Sequence, residues 1–150
     1  MPTHYQGTDE EKTALDCYIK LQRAAETSLA RTTTHLSDYK LTVSQFAILE
    51  ALYHLGQLSQ GELATKLLRS ASNISIVLKA IEKRGLIKRQ RDPADNRYVL
   101  VEITPAGRSL LASFIDQHVA GIVADMSVLT AVEQEELGRL CRKLGLQKRS

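Results

Sequence analysis

The feature that most constrains this chain is a single change of hydrophobic period. Up to Gly85, and again after Thr104, the apolar residues recur at helical steps; between those points they alternate. Leu86 to Arg91 and Arg97 to Ile103 are rich in β-branched and aromatic residues. Between them Asp92-Pro93-Ala94-Asp95-Asn96 has turn chemistry throughout, so the interval predicts a two-stranded hairpin inside an otherwise helical protein.

The helices are punctuated just as clearly. From Asp9 to Leu36 there is neither Gly nor Pro, and Leu15, Tyr18, Ile19, Leu21, Ala25 and Leu29 recur at three- and four-residue steps. That predicts one long amphipathic helix. Thr42 is placed to cap a second helix, with Phe46, Leu49 and Tyr53 along one face until Gly56. Ser59-Gln60-Gly61-Glu62 has capping-box spacing and opens a short helix, Glu62 to Leu68. Ser70 caps the next helix, whose core positions are Ile74, Val77, Leu78 and Ile81, and Gly85 ends it. Thr104-Pro105 starts a long helix with the stripe Leu111, Ile115, His118, Ile122 and Met126. Thr130 to Glu133 is another capping box, opening a last helix through Leu137, Leu140 and Leu144. Two short helices joined by a tight turn and followed by a hairpin predict a winged helix-turn-helix, in a fold that is mainly α with a small β-hairpin. The outer helical segments are too apolar to stand alone, and we expect them to pack together and against a second copy.

Composition gains meaning from where the charge lies. The chain has 150 residues, is 43% hydrophobic and 25% charged, and carries a formal net charge of +3. Those are values of a soluble globular protein. From Arg69 to Arg97 there are eight basic and three acidic residues, a net +5, while the remainder carries −2. Duplex DNA rewards such concentration, because each neutralised phosphate releases condensed counterions. The helix opened by Ser70 turns Ser72, Ile76, Lys79 and Lys83 away from its core face, flanked by Asn73 and Ser75, with Arg69 just before its start. Small hydroxyl and amide groups near a helix N-terminus approach phosphates and base edges; Asn73 suits adenine and Ile76 a thymine methyl. The hairpin adds Arg89, Arg91 and, at its tip, Arg97. Asp95, two residues before Arg97, is placed to hold that arginine in one rotamer for the minor groove. We therefore expect 42–103 to be a winged helix-turn-helix DNA-binding part. Residues 9–36 and 104–146 would be N- and C-terminal dimerisation helices of a single domain spanning 1–150.

Other classes fall away. Aromatics are 5% and Trp is absent, which excludes a stacking platform for single strands. The two cysteines, Cys17 and Cys141, form no C-x-x-C, and the histidines show no ligand spacing, so no metal site is expected. No Walker A loop, G-x-S-x-G or dinucleotide fingerprint is present, so neither an enzyme nor a cofactor is expected. The start lacks the pattern of a signal peptide and no apolar run has membrane length, so a cytoplasmic chain with reduced thiols and no membrane partner is expected. His118, interrupting an apolar stripe, reads as a satisfied core histidine. A winged-helix module for protein partners is the rival class; it would lack the basic face and wing arginines found here.

Three runs carry a family resemblance: Glu82-Lys83-Arg84-Gly85-Leu86-Ile87, Arg91-Asp92-Pro93-Ala94-Asp95-Asn96-Arg97, and Val101-Glu102-Ile103-Thr104-Pro105-Ala106-Gly107-Arg108. With the spacing of Leu41 to Leu68, they resemble the MarR (multiple antibiotic resistance regulator) family of bacterial transcription factors. The resemblance implies a triangular homodimer, with the outer helices as its seam. Its paired recognition helices would read adjacent major grooves of a pseudo-palindromic operator. It implies a repressor released by a small phenolic or electrophilic effector, bound near Arg23, His35, Phe46 and Tyr53. One departure is Ile76, where many members carry a basic residue. His118, the run Leu140 to Gly145 and the start Ala14 to Ala24 resemble a branch that responds to quinones and related electrophiles.

Another branch senses peroxides through a cysteine that would fall one residue from Cys17, on Tyr18. Its tyrosine partners would fall on Thr32 and Val43. Cys17 is thus the redox alternative, weighed against a buried thiol at a helix seam; Cys141 reads as a partly buried structural cysteine.

Overall fold

The computed structural model describes residues 4–147. In chain order the elements are α1 (Asp9–Thr32), a 3-10 segment (Thr34–Tyr39), α2 (Val43–Leu55), β1 (Leu58–Ser59), α3 (Gln60–Lys66) and α4 (Ala71–Lys83). There follow β2 (Ile87–Arg91), β3 (Val99–Ile103), α5 (Pro105–Ala112), α6 (Ile115–Met126) and α7 (Ala131–Gly145). The chain divides into two compact units. One is Thr33–His118; the other is drawn from the described residues up to Thr32 and from Val119 onward.

The central unit holds the core. Leu49, Leu52, Leu63, Ile74, Leu78, Ile81 and Val101 are among its buried side chains, so α2, α3, α4 and the sheet share one interior. The caps expected at Thr42, Ser59, Ser70, Thr104 and Thr130 are all present, each side chain accepting a backbone N–H of its helix. Gly56 and Gly85 take φ of 79° and 74°, the left-handed region that lets a helix stop abruptly. The predicted hairpin forms with Ile87 opposite Ile103 and Arg91 opposite Val99. It is not alone: Leu58 and Ser59 pair with Val101 and Leu100, giving an antiparallel sheet in the order β1-β3-β2. Two residues are too few to show a period, which is why β1 escapes a reading by periodicity.

Two predicted helices are shorter than their apolar stripes. The first ends at Thr32 rather than Leu36, in the β-branched run Thr32-Thr33-Thr34, and a 3-10 segment continues to Tyr39. The helix expected from Thr104 to Met126 breaks at Ser113 and Phe114. There Ser113 Oγ donates to the Leu110 carbonyl at 2.6 Å and the Phe114 N–H bonds back to Leu111 at 3.0 Å. The tightened turn lets Phe114 bury to 1% exposure. The short helix also starts earlier than expected, at Gln60, and ends at Lys66.

The outer unit has no such core. Neither α1 nor α7 contributes a buried residue, and Tyr18, Val123, Val132, Leu140 and Leu144 stand exposed. Within this unit the Ser28 hydroxyl and Arg31 Nε both donate to Asp125, tying α1 to the end of α6. Both thiols are exposed, contrary to the buried Cys17 and partly buried Cys141 expected. The helices that would cover them within this unit bury no side chain of their own.

Candidate nucleic-acid interface

Helix α4 is set out from the core by its own sequence. Ile74, Leu78 and Ile81 are buried at helical spacing, which turns Ser72, Ile76, Lys79 and Lys83 to the opposite, exposed face. Ile76 is 71% exposed, unusual for a residue of its size in the middle of a helix. At the N-terminus the Asn73 N–H donates to Ser70 Oγ at 3.2 Å, and the Ser70 and Ser72 hydroxyls are hydrogen-bonded at 3.2 Å. The preceding turn is sharp: Leu68 takes φ 52° with its side chain 92% exposed, and the Arg69 N–H reaches back to Ala64 at 3.0 Å. Arg69, Ser70, Ser72, Asn73, Ile76, Lys79 and Lys83 are therefore exposed on or just before one helix, with Ser75 partly covered at its edge.

The hairpin tip is ordered by its own side chains. Asp92 accepts the Ala94 N–H at 2.8 Å, and Asp95 Oδ1 accepts the Arg97 N–H at 3.1 Å. Arg97 Nε and Nη2 also donate to Asp95, at 2.9 and 2.7 Å, in a bidentate pair that leaves the arginine side chain 82% exposed. The guanidinium holds the Asp95 carboxyl below its ordinary value, so the pair is fully ionised at neutral pH. Arg91 Nη1 braces the loop by donating to the Asn96 carbonyl at 2.8 Å.

Arg89 is placed differently from the rest of the predicted set. Its Nε and Nη2 donate to the two Glu82 oxygens at 3.0 and 3.2 Å, and Nη1 to Gln60 Oε1 at 3.3 Å. Its side chain is only 19% exposed, and hydrogen bonding to it holds Glu82 below the usual carboxylate range. The charge of Arg89 is thus committed to joining β2 to α4.

The four residues expected to surround an effector do not form one group. His35 and Phe46 belong to a cluster of rings in the central unit. His35 lies 5.1 Å from His118 and 5.7 Å from Phe114, and Phe46 lies 4.6 Å from His118. Tyr39 stacks on Phe114 at 4.2 Å. His118 is buried as expected, and His35 Nε2 is buried without a hydrogen-bond partner among the described residues. Tyr53 instead packs under Arg108, 5.1 Å from its ring centre. Arg23 belongs to the outer unit, where it lines an open groove of about 630 Å³ with Leu21, Met126, Leu137 and Cys141. Tyr39 and Phe114 escaped the sequence reading because both sit at helix breaks that periodicity ran through. Among the described residues no His, Cys, Asp and Glu side chains group to hold a metal ion, and no helix is long and apolar enough to cross a membrane.

Known proteins match both this architecture and its sequence. Residues 41–99, from just before α2 to the start of β3, match the MarR family model. The transcriptional regulator MhqR of Bacillus subtilis is 30% identical over 133 residues, covering 89% of this chain and 92% of that protein. The structure of BpsR from Bordetella bronchiseptica, described for regulation of its DNA binding by 6-hydroxynicotinic acid, is 28% identical with a TM-score of 0.77. That match covers 86% of this chain and 98% of that one. A mutant of Escherichia coli MarR complexed with operator DNA shares the fold at a TM-score of 0.80, with 22% identity over 91% of this chain and 99% of that one. With a helix-turn-helix, a paired wing and full-length relatives in agreement, this chain belongs to the MarR family and is a transcriptional regulator.

Proposed function

We propose that this regulator is a cytoplasmic homodimeric repressor that reads a pseudo-palindromic operator with α4 in the major groove and Arg97 at the wing tip in the minor groove. The observation that carries the reading is the conjunction on one unit of an exposed face of small polar and basic residues with an arginine pre-oriented by Asp95. The DNA contacts are Arg69, Ser70, Ser72, Asn73, Ser75, Ile76, Lys79 and Lys83 on or beside α4, with Arg91 and Arg97 on the wing; Arg89 acts behind them. A protein-binding module has no use for that basic face. Footprinting the DNA upstream of the protein's own gene gives the operator and the half-site spacing. Titration across salt concentrations then tests the contacts: the five exposed cations among them per protomer, doubled in a dimer, correspond to a log–log slope of about −9. A shallow slope overturns the reading.

The release signal in this proposal is a small hydroxylated aromatic acid or a related electrophile. The relative BpsR, whose DNA binding is regulated by 6-hydroxynicotinic acid, supports that class. The buried Nε2 of His35, whose ring packs against Phe114 and His118, supports a polar group entering an otherwise aromatic site. Arg23 and Tyr53 would serve only as outlying contacts.

The exposure of Cys17, in an apolar groove with Ala14, Leu15, Tyr18 and Leu144, favours one second reading: release by oxidation. Cys17→Ser separates the two. Loss of the response to hydroperoxide, with the response to aromatic acids kept, supports oxidation; an unchanged hydroperoxide response refutes it.

A further inference from the structure

The recognition helix is gripped at its C-terminal end from two sides. Arg84 is the C-cap of α4, and its guanidinium reaches the C-terminal end of the 3-10 segment. Nη1 donates to the Lys40 carbonyl at 2.7 Å and Nη2 to the Tyr39 carbonyl at 3.1 Å. These are carbonyls left over where a helix ends, at a residue in the left-handed conformation (Lys40, φ 53°), and a planar fork bonded to two successive peptides fixes both distance and rotation. On the other side Thr104 Oγ1 donates to the Gly85 carbonyl at 2.6 Å, and the Thr104 N–H to the Leu86 carbonyl at 3.0 Å. Thr104 caps α5, and α5 leads to Phe114. Tyr39 and Phe114 stack at 4.2 Å. The two ties therefore leave the end of α4 in different directions and meet in one ring pair. Phe114 of that pair adjoins His35 and Phe46, and both of these in turn pack against His118.

We propose that Arg84 is a positioning residue that couples the recognition helix to the cluster of aromatic rings and histidines, so that α4 and the 3-10 segment shift together. The inference rests on the reading of α4 as the DNA-reading helix. In the sequence Arg84 is one cation among eight in a basic run; the geometry turns its charge inward, to the protein's own backbone. Coupling of this kind is reciprocal: DNA that fixes α4 must also tighten the 3-10 segment, and whatever displaces that segment must loosen the hold on DNA.

Amide hydrogen exchange on the full chain, with and without a random-sequence duplex at low salt, tests the coupling. The reporters are Lys40, whose N–H bonds to Ser37 at 3.0 Å, and Leu41, whose N–H bonds to Leu36 at 3.1 Å. In the wild type the duplex slows their exchange about fivefold, the range of ordinary coupling. In Arg84→Met the duplex still binds with the same salt slope, but the slowing is lost. A merely structural defect would raise exchange equally with and without DNA, so the DNA-dependent difference is the quantity read. Should Arg84→Met fail to fold by circular dichroism, Arg84→Gln, which retains a single uncharged donor nitrogen in place of the guanidinium fork, is held to the same criteria, with the slowing at least halved.

Slowing that persists in the variant overturns the proposal, as does a wild type that binds duplex without slowing. A salt slope reduced by about one overturns it as well, because Arg84 would then touch a phosphate. A wild type that binds no duplex overturns the DNA reading itself.

Discussion

Arg97 and Arg89 lie eight residues apart on the same hairpin and carry the same charge, yet their surroundings give them opposite work. Arg97 is exposed and aimed by Asp95; Arg89 is folded onto Glu82 and Gln60. Arg97→Ala is expected to weaken operator binding by about 1–3 kcal/mol with the dimer intact, read by fluorescence anisotropy against size-exclusion chromatography. Arg89→Ala is expected to lower the melting temperature, by an amount corresponding to about 1 kcal/mol, and to leave the salt slope of DNA binding where it was.

The wing-tip pair also has a pH signature. Asp95 is held below its ordinary value, so its contribution is complete above the ordinary aspartate range and is lost only as pH falls through the lowered value. Order at the Arg97 side chain, followed by Nε relaxation, should be flat from pH 5 to pH 8. A transition inside that window would show that another group holds the arginine. The basic run was legible as a run, but the sorting of its members was not. Glu82, Gln60 and the carbonyls of Tyr39 and Lys40 select among the cations, and they arrive from other elements.

At the scale of elements, local chemistry was legible wherever it acts locally. A cap is a contact between residues three apart, so Thr42, Ser59, Ser70, Thr104 and Thr130 announced themselves. The helix breaks at Thr33 and Ser113 did not, because the apolar stripe continues through both and only the burial of Phe114 reveals why the chain turns there. Gly107 shows how tightly the elements meet. A Cβ at that position would lie 2.2 Å from the Leu86 carbonyl oxygen, the same oxygen that accepts the Thr104 N–H. The first turn of α5 is thus pressed onto the turn between α4 and β2 through a gap that only glycine leaves. Gly107→Ala is expected to destabilise the protein by about 1–3 kcal/mol, the cost of overpacking against backbone, measured by denaturant titration with the m-value unchanged.

At the scale of the whole molecule, the outer helices bear apolar residues that nothing in the described chain buries. Val132, Leu140 and Leu144 on α7 and Tyr18 on α1 lie exposed, which is the pattern of surface awaiting a second copy. Leu140→Glu is expected to yield monomers by light scattering while the central unit keeps its cooperative unfolding. Operator affinity should then fall by orders of magnitude, because one recognition helix must bind without its twin. A dimer that survives the charge would place the seam elsewhere.

The concentration of the core within Thr33–His118 has a consequence for how such regulators diversify. In the proposed dimer, substitutions at the exposed apolar residues of α7 act on the partner, since none of those residues belongs to the core that shapes α4. A cell holding several paralogues can therefore keep their subunits from mixing by divergence at positions such as Val132 and Leu140 alone. Each paralogue retains its own reading helix, and a duplicated gene gains an independent circuit before it changes a single base contact.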